Sequence, residues 1–252
     1  MSANGFTFNV ANGAAAIDLQ MDGILQNGIG FTAANDQVSM VKAGTGTMVL
    51  TNANTYQGVT TVSQGVLRIT NDDALGQYSS SLGALDNGTV VDSGAQLQLA
   101  GNITVDQETL TLNGTGVSST GALLNESGDN SYRGSVFLES DSRINANSGT
   151  TLEIGNYTGP GNTLNVNGGI MNGVTSGQDL TVGGAGNTIV NGGIGKYVQD
   201  ITKDGTGTLT LAGNNSYAGA TNITSGAVKV THNSGLAGTG ATVSNGAALQ
   251  FA

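Results

Sequence analysis

The sequence has no cysteine, no tryptophan and a single proline among 252 residues, and aromatic residues make up only 4% of it. Without cysteine there is no disulfide framework, no thiolate metal site and no cysteine nucleophile. No apolar run approaches the ~20 residues that a membrane-spanning helix needs. The chain is instead rich in Gly, with 42 residues, and in Thr, Asn, Ser, Val and Ala, which favour turns and strands over helices. This composition predicts an all-β protein.

Positive charge is also scarce, since 7 Lys and Arg face 17 Asp and Glu, for a net charge of −10. Such a surface repels phosphate backbones and anionic lipids, so we expect no nucleic-acid partner and no direct membrane insertion. Residues 1–10 carry neither the basic nor the apolar part of a signal peptide. Either the protein is cytosolic or an export signal lies outside this sequence. Because the sequence stops at residues 249–252, in the middle of a strand-like pattern, we interpret it as a fragment of a longer protein.

An internal repeat dominates the sequence. Residues 42–70 read KAGTGTMVLTNANTYQGVTTVSQGVLRIT, and residues 203–231 read KDGTGTLTLAGNNSYAGATNITSGAVKVT, an ungapped match at an offset of 161 residues. A weaker copy at 125–154 keeps Asn130-Ser131-Tyr132-Arg133-Gly134. Long ungapped copies of this kind are the signature of a repeat architecture.

The spacing of the apolar residues predicts how one copy folds. Leu and Thr alternate in Thr208–Leu211, as in a half-buried strand. Corresponding strands recur about every 20 residues, with Gly or Asn at the corners, which favours stacked coils over hairpins. We therefore predict a right-handed parallel β-helix of about 12 coils, on the order of 60 Å long. It would form one continuous domain over 1–252, with a loop insertion near 71–86.

The shared pattern resembles the passenger-associated transport repeat, or autotransporter-associated β-strand repeat, of bacterial autotransporters. It reads K-x-G-x-G-T-[LM]-x-L-x-x-x-N-[ST]-Y-x-G-x-T-x-[VI]-x-x-G. The resemblance implies a type V secreted passenger, exported through an outer-membrane β-barrel translocator and folded as a β-helix outside a Gram-negative cell. It also implies that the repeats assist folding and secretion, and it is compatible with adhesion to a host or cell-surface receptor or glycan, or with self-association.

Residues that recur in register are interpreted as structural. The tyrosines would plug the apolar stack at a corner, with the hydroxyl reaching solvent or a carbonyl. The lysines would stand at strand starts, and the glycines after the tyrosines would supply positive φ. The recurring residues are Lys42, Gly46, Tyr56, Gly58, Tyr132, Gly134, Lys203, Gly207, Tyr217 and Gly219.

Two motifs invite a catalytic or metal-binding interpretation. His232, the only histidine, would have to combine with Ser234 or Asp204 in a triad, but no Gly-x-Ser-x-Gly elbow accompanies it. The segment 183–193 is similar to a calcium-binding nonapeptide, yet Asn187 occupies the position that needs a carboxylate. We predict no catalytic, cofactor or metal site here.

Acidic residues form two further groups in the sequence. Clustered carboxylates would suit a β-helix polysaccharide lyase or glycoside hydrolase, although the aromatic platforms of such grooves are missing. The simpler interpretation is a solvated face neutralised by the two neighbouring arginines. The groups comprise Asp72, Asp73, Asp86 and Asp92, and then Glu126, Asp129, Glu139 and Asp141 with Arg133 and Arg143.

The sequence thus predicts a non-enzymatic, structural and adhesive stalk without cofactors. A glycan-active β-helix enzyme, or a segment of a phage or surface-layer fibre, stays open as an alternative. Trimerisation in solution would favour the fibre.

Overall fold

The structure, a computed structural model, describes residues 5–27, 38–77, 88–106, 108–155, 170–172 and 177–252. Within them lie 23 β-strands and a short 3-10 helix, Val117–Ser119. The strands are β1 Gly5–Asn9, β2 Leu19–Met21, β3 Ser39–Ala43, β4 Thr47–Leu50, β5 Thr60–Val62, β6 Val66–Ile69, β7 Thr89–Val91, β8 Gln96–Ala100, β9 Thr104–Val105, β10 Leu110–Gly114, β11 Leu123–Ser127, β12 Asn130–Tyr132, β13 Val136–Ala146, β14 Thr151–Ile154, β15 Ile170–Asn172, β16 Gln178–Gly184, β17 Asn187–Val190, β18 Val198–Lys203, β19 Thr208–Leu211, β20 Ala220–Ile223, β21 Ala227–Val230, β22 Gly240–Val243 and β23 Ala248–Phe251.

The strands pair in parallel and stack on three faces, each strand one turn of the chain above the last. Face A holds β1, β3, β5, β7, β10, the first part of β13 and β15; face B holds β2, β4, β6, β8, β11, the second part of β13, β16, β18, β20 and β22; face C holds β9, β12, β14, β17, β19, β21 and β23. The predicted right-handed parallel β-helix is confirmed. The number of coils stays a prediction.

The faces that carry strands change along the axis. The first coils have strands on faces A and B, the last coils have them on faces B and C, and the middle coils have all three. In the middle, β13 bends around a corner: Val136–Leu138 pairs on face A, and Ser142–Ala146 pairs on face B. Between the two well-matched copies of the repeat, the strands of each coil therefore shift from faces A and B to faces B and C.

The core is the interior of the coil. In β19, Leu209 and Leu211 are fully buried while Thr208 and Thr210, which alternate with them, face outward, as the alternation predicts. Inward residues from all three faces join in one apolar cluster that runs from Val10 to Val230. A single domain over 1–252 stays a prediction, and residues 78–86 of the expected insertion lie outside the described residues.

Candidate functional site

The two well-matched repeats lie on different faces of the helix. In 42–70 the strands belong to faces A and B, whereas in 203–231 they belong to faces B and C. In both copies the N-[ST]-Y segment lies on the remaining side of the coil, where it forms no strand. In the weaker copy the same segment, Asn130–Tyr132, forms β12 on face C. One motif therefore builds the same corner at two orientations around the axis.

The recurring lysines are buried inside these corners. Lys42 and Lys203 are 0% and 1% exposed. Each stands at or beside the end of its strand, so the predicted strand start is wrong. The Lys42 ammonium donates to the carbonyl oxygens of Ala43, Gly44 and Gln64 at 3.2, 2.8 and 2.9 Å. An ammonium surrounded by carbonyls holds the chain in the turn that follows the strand.

The second lysine repeats this arrangement with different charged neighbours. The Lys203 ammonium donates to two backbone carbonyls of its own corner, at 2.7 and 2.9 Å. Burial lowers the pKa of Lys42 to about 8, and the Asp18 carboxylate opposes the change. Burial also lowers the pKa of Lys203; Asp204 opposes this effect and Arg143 adds to it. Both amines are thus partly desolvated cations with structural contacts.

The recurring glycines lie where the backbones of neighbouring coils approach each other closely. Gly58, Gly134 and Gly219 do not have positive φ, so that prediction is wrong. A Cβ on Gly58 would lie 2.6 Å from the carbonyl group of the preceding coil, and one on Gly219 would lie 2.7 Å from the equivalent oxygen. On Gly134 it would collide with the Glu108 carbonyl, and Gly46 and Gly207 face the backbone below them in the same way. Only glycine fits where two backbones come so close.

The recurring tyrosines are buried to the hydroxyl. Tyr56, Tyr132 and Tyr217 are 0%, 0% and 1% exposed. The Tyr56 hydroxyl bonds the Thr60 hydroxyl at 2.5 Å, and Tyr217 bonds Thr221 at 2.6 Å. The prediction that these hydroxyls reach solvent or a carbonyl is therefore wrong. Within the described residues the Tyr132 hydroxyl has no hydrogen-bond partner. Their function as plugs stays a prediction.

Asparagine makes the inter-coil contacts that sequence reasoning missed. Asn215 is 5% exposed. Its Oδ1 accepts the Ile194 N–H of the preceding coil at 2.8 Å, and its Nδ2 donates to the Gly235 carbonyl of the following coil at 2.5 Å. One side chain thus links three coils on the side that has no strand.

The same asparagine recurs in the other two copies. Asn54 accepts the Leu25 N–H at 2.8 Å and donates to the Ala74 carbonyl at 2.6 Å. Asn130 accepts the Ile103 N–H at 2.7 Å. The signal was available, since Asn precedes [ST]-Y in every copy. Its inter-coil function was invisible because the bonded partners lie 20 to 29 residues away.

The arginines pair with carboxylates other than those predicted. Arg133 pairs with Asp106 at 3.3 Å, and Glu126 pairs with Arg68 at 3.4 Å. Arg143 makes two bonds to Asp204, at 2.6 and 2.7 Å. This last pair joins coils that are not adjacent, because β16 lies between β13 and β18. The pair passes over Gly183, where a Cβ would collide with both side chains.

Three of the other acidic candidates bind backbone. In each bond a carboxylate oxygen accepts a backbone N–H from the next coil. These carboxylates therefore connect neighbouring coils rather than forming a catalytic pair. The bonds join Asp72 to Thr104, Asp129 to Thr151 and Asp141 to Asp179, at 2.8, 2.8 and 2.9 Å. Asp86 lies outside the described residues.

The residues of the possible catalytic and calcium motifs make structural hydrogen bonds and ion pairs. His232 is exposed, and its Nδ1 accepts the backbone N–H of Ser234 at 3.0 Å, while Asp204 is bonded to Arg143. Asn187 accepts the Thr208 N–H at 3.1 Å. The described part of the chain contains no group of three or more potential metal-binding side chains, and no helix there is long and apolar enough to cross a bilayer.

Comparisons with known proteins match the two well-matched copies of the repeat and most of the chain. Residues 40–69 and 201–230 match the passenger-associated-transport-repeat family. The chain is 32% identical over 255 residues to the adhesin BmaC autotransporter of Brucella suis biovar 1 (strain 1330). The match covers 80% of this chain and 7% of the length of that adhesin. No solved structure matches the chain significantly.

Proposed function

Because the chain belongs to the bacterial autotransporter passengers that carry passenger-associated transport repeats, we propose that it is a non-enzymatic, adhesive stalk. Its location is the outside of a Gram-negative cell, as a secreted or outer-membrane-displayed segment. In the full-length protein its partner during export would be an outer-membrane translocator. The observation that carries the proposal is a rod in which the recurring asparagines and glycines lie at contacts between coils.

The repeats would assist folding because each coil offers a template to the next. The buried asparagine in each copy accepts an N–H of the preceding coil, and in two copies it also donates to the following one. Corner carboxylates accept further N–H groups, in their case from the following coil. A coil that arrives with these groups unpaired gains hydrogen bonds as soon as it stacks, which favours propagation of folding along the rod.

Adhesion or self-association would use the outer surface of face A. Its central outward row contains no charged residue over six successive strands, although the chain carries a net charge of −10. The row consists of Thr7, Val41, Thr61, Val90, Thr111 and Phe137. The corresponding rows on faces B and C include Arg68, Glu153 and Lys229. Copies that approach through face A avoid the repulsion between acidic surfaces.

A pair of charge substitutions tests this surface. Thr61→Glu combined with Thr111→Glu adds two carboxylates to the uncharged row. We expect weaker self-association in sedimentation velocity and slower clumping of cells that display the protein. Thr210→Glu, an outward threonine on face C, is the matched control. Equal loss of association in both variants would contradict the assignment to face A.

Enzymatic activity is tested separately. Incubation with a glycan panel, with and without calcium, should yield neither new reducing ends nor unsaturated uronates. Release of either product by the purified protein would contradict a non-enzymatic stalk.

A further inference from the structure

One carboxyl group lies inside the helix instead of on its surface. Glu108 is in the turn between β9 and β10 and is 5% exposed. Its Oε1 accepts a hydrogen bond from the Thr89 hydroxyl at 3.1 Å, and Thr89 is itself fully buried. Neither the coil motif nor the proposed adhesion uses this group. A buried carboxyl without a cation is costly when ionised.

Within the part of the chain that the structure describes, the groups around Glu108 are uncharged. The titratable groups that interact with it are the buried phenols Tyr56 and Tyr132, and its neighbour on β7 is the neutral Thr89. The ion pairs of the described residues involve Arg68, Arg133 and Arg143 with other carboxylates. Tyr132, on the next coil, has a buried hydroxyl without a partner in the described residues. Among the described residues, the Thr89 hydroxyl is the one group of this cluster that favours the ionised carboxylate, and no cation accompanies it.

Ionisation of Glu108 is therefore linked to folding. Burial raises the pKa of Glu108 to about 8, and the Thr89 hydrogen bond opposes the shift. In the unfolded chain a glutamate loses its proton near pH ~4.3. Between these two values the unfolded chain has released a proton that the folded chain retains. The folded state is thus favoured below pH ~4.3 and loses that advantage as the pH rises toward 8.

The position of Glu108 confines the effect of its ionisation to the middle of the helix. Glu108 follows β9, the first strand of face C, where the helix acquires its third strand per coil. Its carbonyl oxygen lies against Gly134 of the next coil, so closely that a Cβ there would collide with it. A charge or a water molecule at Glu108 thus acts on the contact between two coils at the point where the architecture changes.

We propose that the buried cluster of Glu108, Thr89 and Tyr132 is a pH-responsive weak point, which holds the middle of the rod closed in mildly acidic surroundings and loosens it in mildly alkaline ones. The ends of the rod would keep their stability over the same pH range. This inference is independent of the proposed adhesion, since it concerns the interior of the coil.

Hydrogen exchange at pH 5 and pH 8, corrected for intrinsic rates, tests the proposal on the full chain. We expect the opening equilibrium constant of β7, β10 and β12 to rise about 400-fold between these pH values, since one proton gives up to a tenfold change per pH unit and less near each pKa. Strands β19 and β21 serve as an internal reference and should change little. E108Q should abolish the difference, whereas E153Q, an outward glutamate on β14, should preserve it. Identical pH dependence in E108Q and the unsubstituted protein would overturn the proposal.

A second measurement covers the case in which E108Q does not fold. The chain contains four glutamates, so a protein labelled with 13C at glutamate Cδ gives four carboxyl signals. One signal should titrate near pH 8 and the single substitutions E126Q, E139Q and E153Q should leave it in place. Complete ionisation of all four glutamates below pH ~6 would contradict a buried neutral carboxyl.

Discussion

The copies 42–70 and 203–231 share one motif but occupy different faces of the helix. Each buries its lysine amine among carbonyls, its tyrosine hydroxyl against a threonine four residues later, and its asparagine amide between coils. Their surroundings differ, because Asp18 lies near Lys42 whereas Asp204 and Arg143 lie near Lys203. The motif therefore specifies a corner through contacts with adjacent coils and is indifferent to the face on which it is built.

The weaker copy shows which parts of the motif can be lost. It keeps Asn130 and Tyr132, but Val136 replaces the threonine that would bond the tyrosine hydroxyl. Counting back from the tyrosine, Ser118 occupies the position of the lysine and has a positive φ of 50° within the 3-10 helix. The weaker copy therefore keeps the hydrogen bond between coils that its asparagine makes, although it has lost the buried lysine and the carbonyl contacts of that lysine. Inter-coil hydrogen bonding is thus the most persistent part of the repeat.

Removing the tyrosine ring should have the largest effect. Tyr217→Ala leaves a cavity in the core and should destabilise the fold by about 4 kcal/mol, as large-to-small aromatic substitutions do. Thermal unfolding followed by circular dichroism measures the change. An unchanged melting temperature would refute the plug interpretation.

Loss of the asparagine link should be the next largest effect. Asn215→Ala leaves the Ile194 N–H and the Gly235 carbonyl without their partner, at a cost of about 3 kcal/mol. The exposed neighbour Asn214 provides the control variant Asn214→Ala. Urea unfolding should separate the two variants, and equal midpoints would show that the link contributes nothing.

The buried Lys42 amine predicts that stability rises with pH, whereas the buried Glu108 carboxyl predicts that stability falls with pH. Because the pKa of Lys42 is about 8 when folded and near 10.5 when unfolded, its contribution to stability is present above pH ~10.5 and is lost as the pH falls to 8. The difference should be about 2 kcal/mol after allowance for solvent screening. Unfolding free energies of the unsubstituted protein and of Lys42→Met, measured between pH 8 and 10.5, test this. A slope that persists in Lys42→Met would assign the effect to another group.

The smallest effect should distinguish two of the tyrosines. Tyr217→Phe removes hydroxyl bonds to Thr221 and to the Ala237 N–H and should cost about 1 kcal/mol. Tyr132→Phe removes a buried hydroxyl without a partner in the described residues and should be neutral or slightly stabilising. Melting temperatures that fall equally in both variants would show that Tyr132 has a polar partner after all.

The fold could be predicted from the sequence because its signals are periodic. Apolar alternation in Thr208–Leu211, glycine at the corners and the 161-residue offset between copies all pointed to stacked parallel coils. The errors concern contacts between distant residues. Gly58 looked like a turn residue because the carbonyl of Val38 that crowds it lies in another coil. The burial of Lys42 could not be predicted, because its carbonyl cage exists only once Gln64 has stacked above it.

Charge pairing was equally hidden from the sequence. Arg143 finds Asp204 61 residues away instead of a carboxylate beside it. Glu108 offered no local sign of burial, because the depth of a turn inside a coil depends on the coils that pack on either side. Such features need the register between coils, which only the structure supplies.

The bridge from Arg143 to Asp204 has a mechanical consequence. A rod of coils pulled along its axis ordinarily peels one layer at a time, since each layer touches only its neighbours. Here a bidentate clamp straddles the layer that contains Gly183, so the layers above and below it cannot separate independently. Under tension this stretch would yield as a three-layer block, with a larger force and a longer extension step than the rest of the rod.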